Sequence, residues 1–331
     1  MARLNAARAI VIGASAGGVS ALLELAAALP ANLDAVVGMV LHVGSRRSLL
    51  PELLSGRGPL PALHPGDGQP LRPGVIYVAP PDHHMLFTGD AVRLTRGPRE
   101  NHARPAVDPL FRSAALAWRE RSIGVVLTGD LDDGTAGLAA IKDCGGTAIV
   151  QDPATALEPS MPASAMANVA VDHCLPLDRI AGVLQDLSGR VPPPEPGAPP
   201  ERLRREHAVF EGSQGMENLN ALGHLSALTC PDCGGGLWEI SGAPPLRFRC
   251  HTGHAFTARS LDNAQLQATD QSLWASVRTL QEREILLRRL ATVSEATGDS
   301  AGAEAGRQQA DRVRAQAELL SKLVEGEMNS A

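Results

Sequence analysis

A chain of 331 residues, 44% of them hydrophobic, holds enough apolar material for two packed units. A formal net charge of −6, the lack of a basic tail and an aromatic content of 3% exclude a nucleic-acid binder built on electrostatics and base stacking. No stretch approaches the ~20 apolar residues of a membrane span, and the apolar run at 9–12 behind Arg3 and Arg8 is short for a secretory signal, so the chain reads as cytoplasmic, without membrane insertion.

Residues 9–13 (AIVIG) form a short buried-strand pattern, and a helical pattern over 19–29 stops at Pro30. Residues 35–42 (AVVGMVLH) and 74–79 (GVIYVA) are further buried strands, with a weaker one at 91–95. A helix is predicted over 109–118 with Asp108 as its cap, a strand over 122–128 (SIGVVLT), a helix over 134–143 and a strand over 147–151 (TAIVQ). Strands without polar alternation, separated by helices, indicate a parallel sheet covered on both faces. The expected fold class is α/β, a doubly wound and mostly parallel sheet with its site at the strand C-termini. The proline-rich stretch 191–200 (VPPPEPGAPP) can continue neither helix nor central strand and reads as a stiff linker after a first domain of residues 1–190.

Beyond it, residues 201–260 hold a charged helical piece and a Cys/His segment, and residues 261–331 a helical tail. There Leu266, Leu273, Leu280 and Leu287 repeat every seven residues beside Val277 and Leu290; after a turn at 297–300 a second stripe runs Ala310, Val313, Ala317, Leu320 and Val324. This spacing suits a hairpin packed on itself or a coiled coil that takes a partner.

The run Gly13-Ala14-Ser15-Ala16-Gly17-Gly18 sits between a predicted strand and a predicted helix. It puts a hydroxyl at the sheet's C-terminal edge, beside the unpaired N–H groups of a helix start, and Gly17 and Gly18 allow a tight turn and close substrate approach. A dinucleotide loop would want glycine in place of Ser15 and an acid at the end of the next strand, which here ends in Leu41-His42. The letters also fit the G-x-S-x-G elbow of α/β-hydrolases, but that fold places several strands before its nucleophile. A serine esterase of another fold and a glycine turn with an idle serine are the other readings. His42 lies on the same edge as Ser15 and suits a base. The loop TGDLDDG after the fifth strand offers Asp130, Asp132 and Asp133, of which Asp133 also suits the cap of the following helix. Serine, histidine and aspartate converging from three strand ends raise the catalytic reading.

The motifs VIGASAGGVSAL, the LH that ends the second strand, PGVIYVAPPDHHM, NHARPAVDPLFRSAA, VVLTGDLDDGTAGL, GTAIVQDPATA and MPASAM all lie within residues 8–187. This set resembles the catalytic domain of the CheB-type chemotaxis protein-glutamate methylesterases. The resemblance implies Ser15 as nucleophile, His42 as general base and then acid, and Asp133 as the group that orients the imidazole. It implies a covalent acyl-enzyme on a receptor glutamate, release of methanol, no catalytic cofactor, methylated chemoreceptor helices as partners and, in some members, glutamine deamidation. The chain departs from the family pattern at Asp130 and Leu131, where methionine and glycine are usual, at Ala16 for threonine and at Val43 for methionine. No receiver domain precedes the first strand, so control is expected from the C-terminal half. His102 and Arg104 in NHARPAVD join Gly17, Gly18 and Asp130 as cleft candidates; His83 and His84 read as structural or cleft-lining.

Cys230-Pro231-Asp232-Cys233 is a C-x₂-C knuckle, and Cys250-His251-Thr252-Gly253-His254 follows a short hairpin-like segment. Cys230, Cys233, Cys250 and His254 make a Cys₃His set suited to a structural zinc ion, with His251 as the alternative to His254. A segment with so little aliphatic core needs such a staple, and similar appendages occur on some stand-alone members of the esterase family. The remaining cysteines, Cys144 and Cys174, read as buried thiols. The function expected is a methylesterase with a zinc-stapled docking or regulatory tail that takes a regulatory partner; the alternative is a non-catalytic binding module on the same fold.

Overall fold

The computed structural model describes residues 7–43, 47–191, 197–213, 215–242 and 244–328. Half of the expected linker, residues 192–196, lies outside the described residues. Chain order runs β1 (Arg8–Ala14), α1 (Gly18–Ala28), β2 (Ala35–Leu41), α2 (Leu50–Arg57), β3 (Ala62–Leu63), β4 (Ile76–Val78), β5 (His84–Thr88), β6 (Ala91–Thr95), α3 (Val107–Trp118), β7 (Ser122–Val126), α4 (Thr135–Asp143), β8 (Thr147–Gln151), α5 (Ser160–Asn168), β9 (His173–Leu175) and α6 (Leu177–Ser188). Then come α7 (Glu201–Phe210), α8 (Gly215–Leu222), β10 (Gly223–Thr229), β11 (Gly236–Ile240), β12 (Arg247–Cys250), β13 (Ala255–Thr257), α9 (Ala258–Ala296) and α10 (Ser300–Met328).

The main sheet has strand order β3-β4-β2-β1-β7-β8-β9, and its pairs are parallel. The expected doubly wound sheet is therefore present. Strands β1, β2 and β7 are buried along their whole length, as strands covered on both faces must be. One layer packs Val107, Leu110, Phe111 and Leu138 from α3 and α4 on one face, and the other packs Leu22, Leu25, Ile180 and Leu184 from α1 and α6 on the opposite face. Connections leave β1 toward β2 on one side and β7 lies on the other, so the chain switches direction beside β1, where α/β sheets form their crevice. The weaker strand at 91–95 belongs elsewhere: β6 pairs antiparallel with β5 in a separate hairpin. Helix α3 starts at Val107, before the expected position, so Asp108 is not its cap. Cys144 is buried as expected, whereas Cys174 on β9 is exposed.

Residues up to Leu261 form one compact unit, and Asp262 onward a second. The antiparallel sheet β10-β11-β12-β13, a ribbon carrying the cysteines, thus packs within the same unit as the parallel sheet. The ribbon has more apolar core than expected: Trp238 and Ile240 pack on Val209, Leu219 and Leu222 of α7 and α8. Between ribbon and sheet lies a buried ion cluster. Glu100 accepts from Arg112 of α3 at 2.6 Å and from Arg249 of β12 at 2.8 Å, and Glu206 of α7 accepts from Arg247 at 2.6 Å and Arg249 at 3.2 Å. Both carboxylates are below 6% exposed, so their charges must be paired in place.

In the second unit α9 and α10 form the expected helical hairpin. Val277, Ala291, Ala303, Ala310, Val313, Ala317 and Val324 are buried, while Leu266 and Leu290 of the expected stripe point outward, 66% and 54% exposed. Arg288–Asp311 and Arg307–Glu295 pairs bridge the helices, each at 2.9 Å. No described helix is long and apolar enough to cross a membrane.

Burial works against ionisation of Glu206, but Arg247, Arg249 and Arg112 outweigh it and hold the carboxyl below its ordinary 4.5. Glu100 is likewise held down, against burial, by Arg112 and Arg249. A depressed carboxylate stabilises fully above its unfolded value and loses that stabilisation as pH falls through the folded one. Urea titrations are therefore expected to show stability declining below pH 4.5. Glu206→Gln should lower stability near neutrality by about 3 kcal/mol, since it strands buried arginines, and should flatten that acid decline.

Candidate active site

Three strand ends supply the site. Ser15 follows β1, where its N–H donates to the Thr128 carbonyl beyond β7 at 3.0 Å and its carbonyl accepts from Gly18 at 2.8 Å. Gly17 adopts φ +74°, and a Cβ there would lie 2.9 Å from Leu157; at Gly18 it would lie 2.6 Å from Leu41. Both positions therefore need glycine for Ser15 to stand at the start of α1. His42 follows β2. Its Nδ1 lies 3.0 Å from Ser15 Oγ and its Nε2 lies 2.8 Å from Asp133 Oδ2. The histidine side chain is 21% exposed and that of Asp133 only 2%, so the site opens to solvent at the hydroxyl and imidazole and closes at the acid.

Asp133 does not serve as a helix cap: α4 begins after Gly134, with no side-chain capping bond. Instead its Oδ1 accepts from Asn101 Nδ2 at 2.9 Å, Gly134 N at 2.9 Å and Asp108 N at 3.1 Å, and its Oδ2 also accepts from Val107 N at 2.6 Å. Burial alone would raise its pKa; the His42 hydrogen bond and charge, with the Val107 and Asn101 donors, lower it overall. Burial and the neighbouring Asp133 charge push Asp108 well up, the opposite direction from Asp133. An imidazole that donates Nε2–H to an ionised Asp133 leaves Nδ1 facing the Ser15 hydroxyl, an arrangement that can take up its proton. The N–H groups of Ala16 and Gly17, the two residues after the serine, have no backbone acceptor among the described residues, which leaves donors for a developing oxyanion.

The sequence signature described as CheB methylesterase matches residues 10–184, more than half of the chain. The chain belongs to the CheB methylesterase family. A Caulobacter vibrioides relative named "Protein-glutamate methylesterase/protein-glutamine glutaminase 2" is 41% identical over 180 residues, which are 52% of this chain and 51% of that protein. The chain thus spans about half the length of that relative. A Leptospira interrogans protein is 37% identical over 179 residues, covering 52% of this chain and 91% of the other. The crystal structure of the Thermotoga maritima CheB methylesterase catalytic domain superposes with a TM-score of 0.53 at 32% identity, covering 55% of this chain and 98% of that one.

On this CheB scaffold the other expected cleft residues have different surroundings. Asp130 is exposed and accepts from the Leu131 N–H at 2.7 Å. Arg104 donates to Asp82 at 2.7 and 2.9 Å and to the Arg96 and Gly97 carbonyls, so it anchors its own loop. His102 Nδ1 lies 3.1 Å from Asp232 of the cysteine knuckle. Burial pushes His84 down to about 4; its Nε2 faces the Pro98 carbonyl at 3.0 Å, a structural role.

Beyond the CheB match, ligand atoms of Cys230, Cys233, Cys250 and His254 all lie within 4.8 Å of one another. Cys233 Sγ and Cys250 Sγ are 3.8 Å apart, and Cys250 Sγ and His254 Nδ1 are 3.5 Å apart. A tetrahedral ion with bonds of about 2.3 Å to sulfur and about 2.0 Å to nitrogen separates sulfurs by about 3.8 Å, so the set fits a metal. His251 lies outside this group, its ring against Gly235.

Sequence reasoning passed over Asn101 and assigned Asp108 to a cap. Asn101 stands in the NHARPAVD segment beside His102, and its adjacency there was the available signal; its partners come from residues 7 and 32 positions on. A Cβ at Gly129 would lie 2.1 Å from Met161 Sδ and 2.8 Å from Ser15 Cβ. Gly129→Ala is therefore expected to slow fluorophosphonate labelling of Ser15 at least about tenfold, a displacement effect of the kind that misplaced reacting groups show, while circular dichroism stays that of wild type.

Proposed function

We propose that this chain is a protein-glutamate methylesterase that hydrolyses glutamate γ-methyl esters on chemoreceptor-like helices. The observation that carries the reading is the continuous path from Ser15 Oγ through His42 to the buried carboxylate of Asp133, with steps of 3.0 and 2.8 Å. Ser15 Oγ attacks the ester carbonyl as its proton passes to His42 Nδ1, and Asp133 stabilises the imidazolium through Nε2–H. The tetrahedral oxyanion meets N–H donors beside the serine. His42 then returns the proton to the departing methoxide, methanol leaves, and a glutamyl ester remains on Ser15. Water, giving a proton to His42, attacks that ester; the bond to Ser15 Oγ breaks as His42 returns the proton to it, and the free glutamate is released. The same attack on a glutamine amide releases ammonia, which extends the reading to the glutaminase activity in the relative's name.

A binding module without catalysis is the weaker reading, because a binder has no use for an ionised carboxylate buried behind an imidazole. The Cys₃His set is read as a closed structural zinc site, with four protein ligands and no open position for chemistry. The outward Leu286, Leu290, Leu319 and Leu323 of α9 and α10, each 54–63% exposed, support docking of a regulatory partner. Such receptor helices would be met in the cytoplasm.

Methanol release from methylated receptor fragments is the direct assay. Ser15→Ala and His42→Gln are each expected to lower kcat by about 10⁴-fold or more; release that persists in Ser15→Ala, together with equal fluorophosphonate labelling of the two proteins, would remove the esterase. Metal analysis of freshly purified chain should find about one zinc ion per chain, and its absence would end the zinc assignment.

A further inference from the structure

The ribbon reaches the acid of the site through one side chain. Asn101 Nδ2 donates to Asp133 Oδ1 at 2.9 Å and to Asp108 Oδ2 at 2.8 Å. Its Oδ1 accepts from the Thr257 N–H at 3.2 Å and from Ser260 Oγ at 3.0 Å. All hydrogen-bonding positions of the amide are thus used, which fixes its orientation. Thr257 Oγ1 also donates to Asp132, the neighbour of Asp133, at 2.6 Å.

Both halves of the metal site grip the turn that carries Asn101. From the Cys250–His254 half, Ala255 follows the ligand His254; its carbonyl accepts from Asn101 N at 2.8 Å and its N–H donates to the Arg99 carbonyl at 3.2 Å. From the Cys230–Cys233 half, Asp232 pairs with His102 at 3.1 Å. Asn101 and His102 have φ of +50° and +64°, a left-handed region that non-glycine residues occupy only when held there. Arg249, on the strand leading to Cys250, joins the Gly253 carbonyl of the metal loop to Glu100, the residue before Asn101, at 2.9 and 2.8 Å.

We propose that the Cys/His ribbon is a working part of the esterase: Asn101, held by Ala255, Thr257 and Ser260, is a positioning residue that locks Asp133 against His42, so that metal at Cys230, Cys233, Cys250 and His254 supports turnover. The inference rests on the esterase reading for its effect on rate, and on geometry alone for its effect on Asp133. The CheB match ends at residue 184, so this support comes from a segment outside the family domain. A metal-free ribbon releases the 99–102 turn and withdraws a charge-assisted donor from the acid.

The test uses the full chain and reads both consequences. The downfield proton resonance of His42 Nε2–H reports its bond to Asp133, and methanol release gives kcat and KM. In Thr257→Val/Ser260→Ala, which removes two hydroxyl donors and keeps the backbone, the resonance is expected to shift or broaden. kcat should fall about tenfold, the size of a lost hydrogen bond to a charged network, with KM within about twofold. Thr257→Ser alone should restore both readouts. Chelation should reproduce the change and zinc added back should reverse it. A wild-type resonance and kcat in the double variant, or in metal-free chain that stays folded by circular dichroism, overturns the proposal. A resonance that moves as expected in a chain whose wild type hydrolyses no ester supports the positioning role and removes the esterase reading instead.

Discussion

The carboxylate of Asp133 is only 2% exposed, and the site depends on keeping it charged. A lone carboxylate in such surroundings would take up a proton. Here Val107 N, Asp108 N, Gly134 N, Asn101 Nδ2 and His42 Nε2 all donate to it. Two of those donors are backbone groups at the start of α3, where an N-terminus has N–H groups to spare. The α3 start therefore serves the acid, and burial beside that charge pushes the Asp108 carboxyl up. An imidazole oriented by that charge has one nitrogen left for the serine.

Geometry at the strand ends follows from close approach. A Cβ at Gly13 would lie 2.3 Å from Val107, and one at Gly129 would strike Met161 and Ser15. These glycines let the β1 turn, the loop after β7 and the start of α3 converge, and the convergence brings residues 15, 42 and 133 within hydrogen-bond reach. The ion cluster of Glu100, Arg112, Glu206, Arg247 and Arg249 then ties the ribbon to the same side of the sheet. A cluster of this kind fixes geometry more than it adds stability, because desolvation offsets most of its Coulomb attraction.

Much of this was legible along the chain. The runs AIVIG, AVVGMVL and TAIVQ are apolar without alternation, and a strand buried on both faces has no other way to be written. The glycine run around Ser15 and the histidine ending β2 stand where a sheet crevice forms, and two cysteines three apart followed by a Cys-x₃-His announce a metal set. The shortest elements were harder: β3 and β9 are two and three residues long, too short for periodicity to register. The weak strand at 91–95 was legible as a strand, but its partner was not, because pairing is a property of two segments.

By itself the sequence determined the parallel α/β layering, the switch-point serine and histidine, the Cys₃His spacing and the paired apolar stripes of α9 and α10, since each is a local pattern of side chains against backbone period. Tertiary structure alone decided which donors surround the Asp133 carboxylate, that Asp108 sits inside α3 instead of capping it, that His102 pairs with Asp232, and that Asn101 links the ribbon to Asp133. Those outcomes depend on donors and charges brought together from positions up to 159 residues apart, and the electrostatics of a buried carboxylate are set by its neighbours in space.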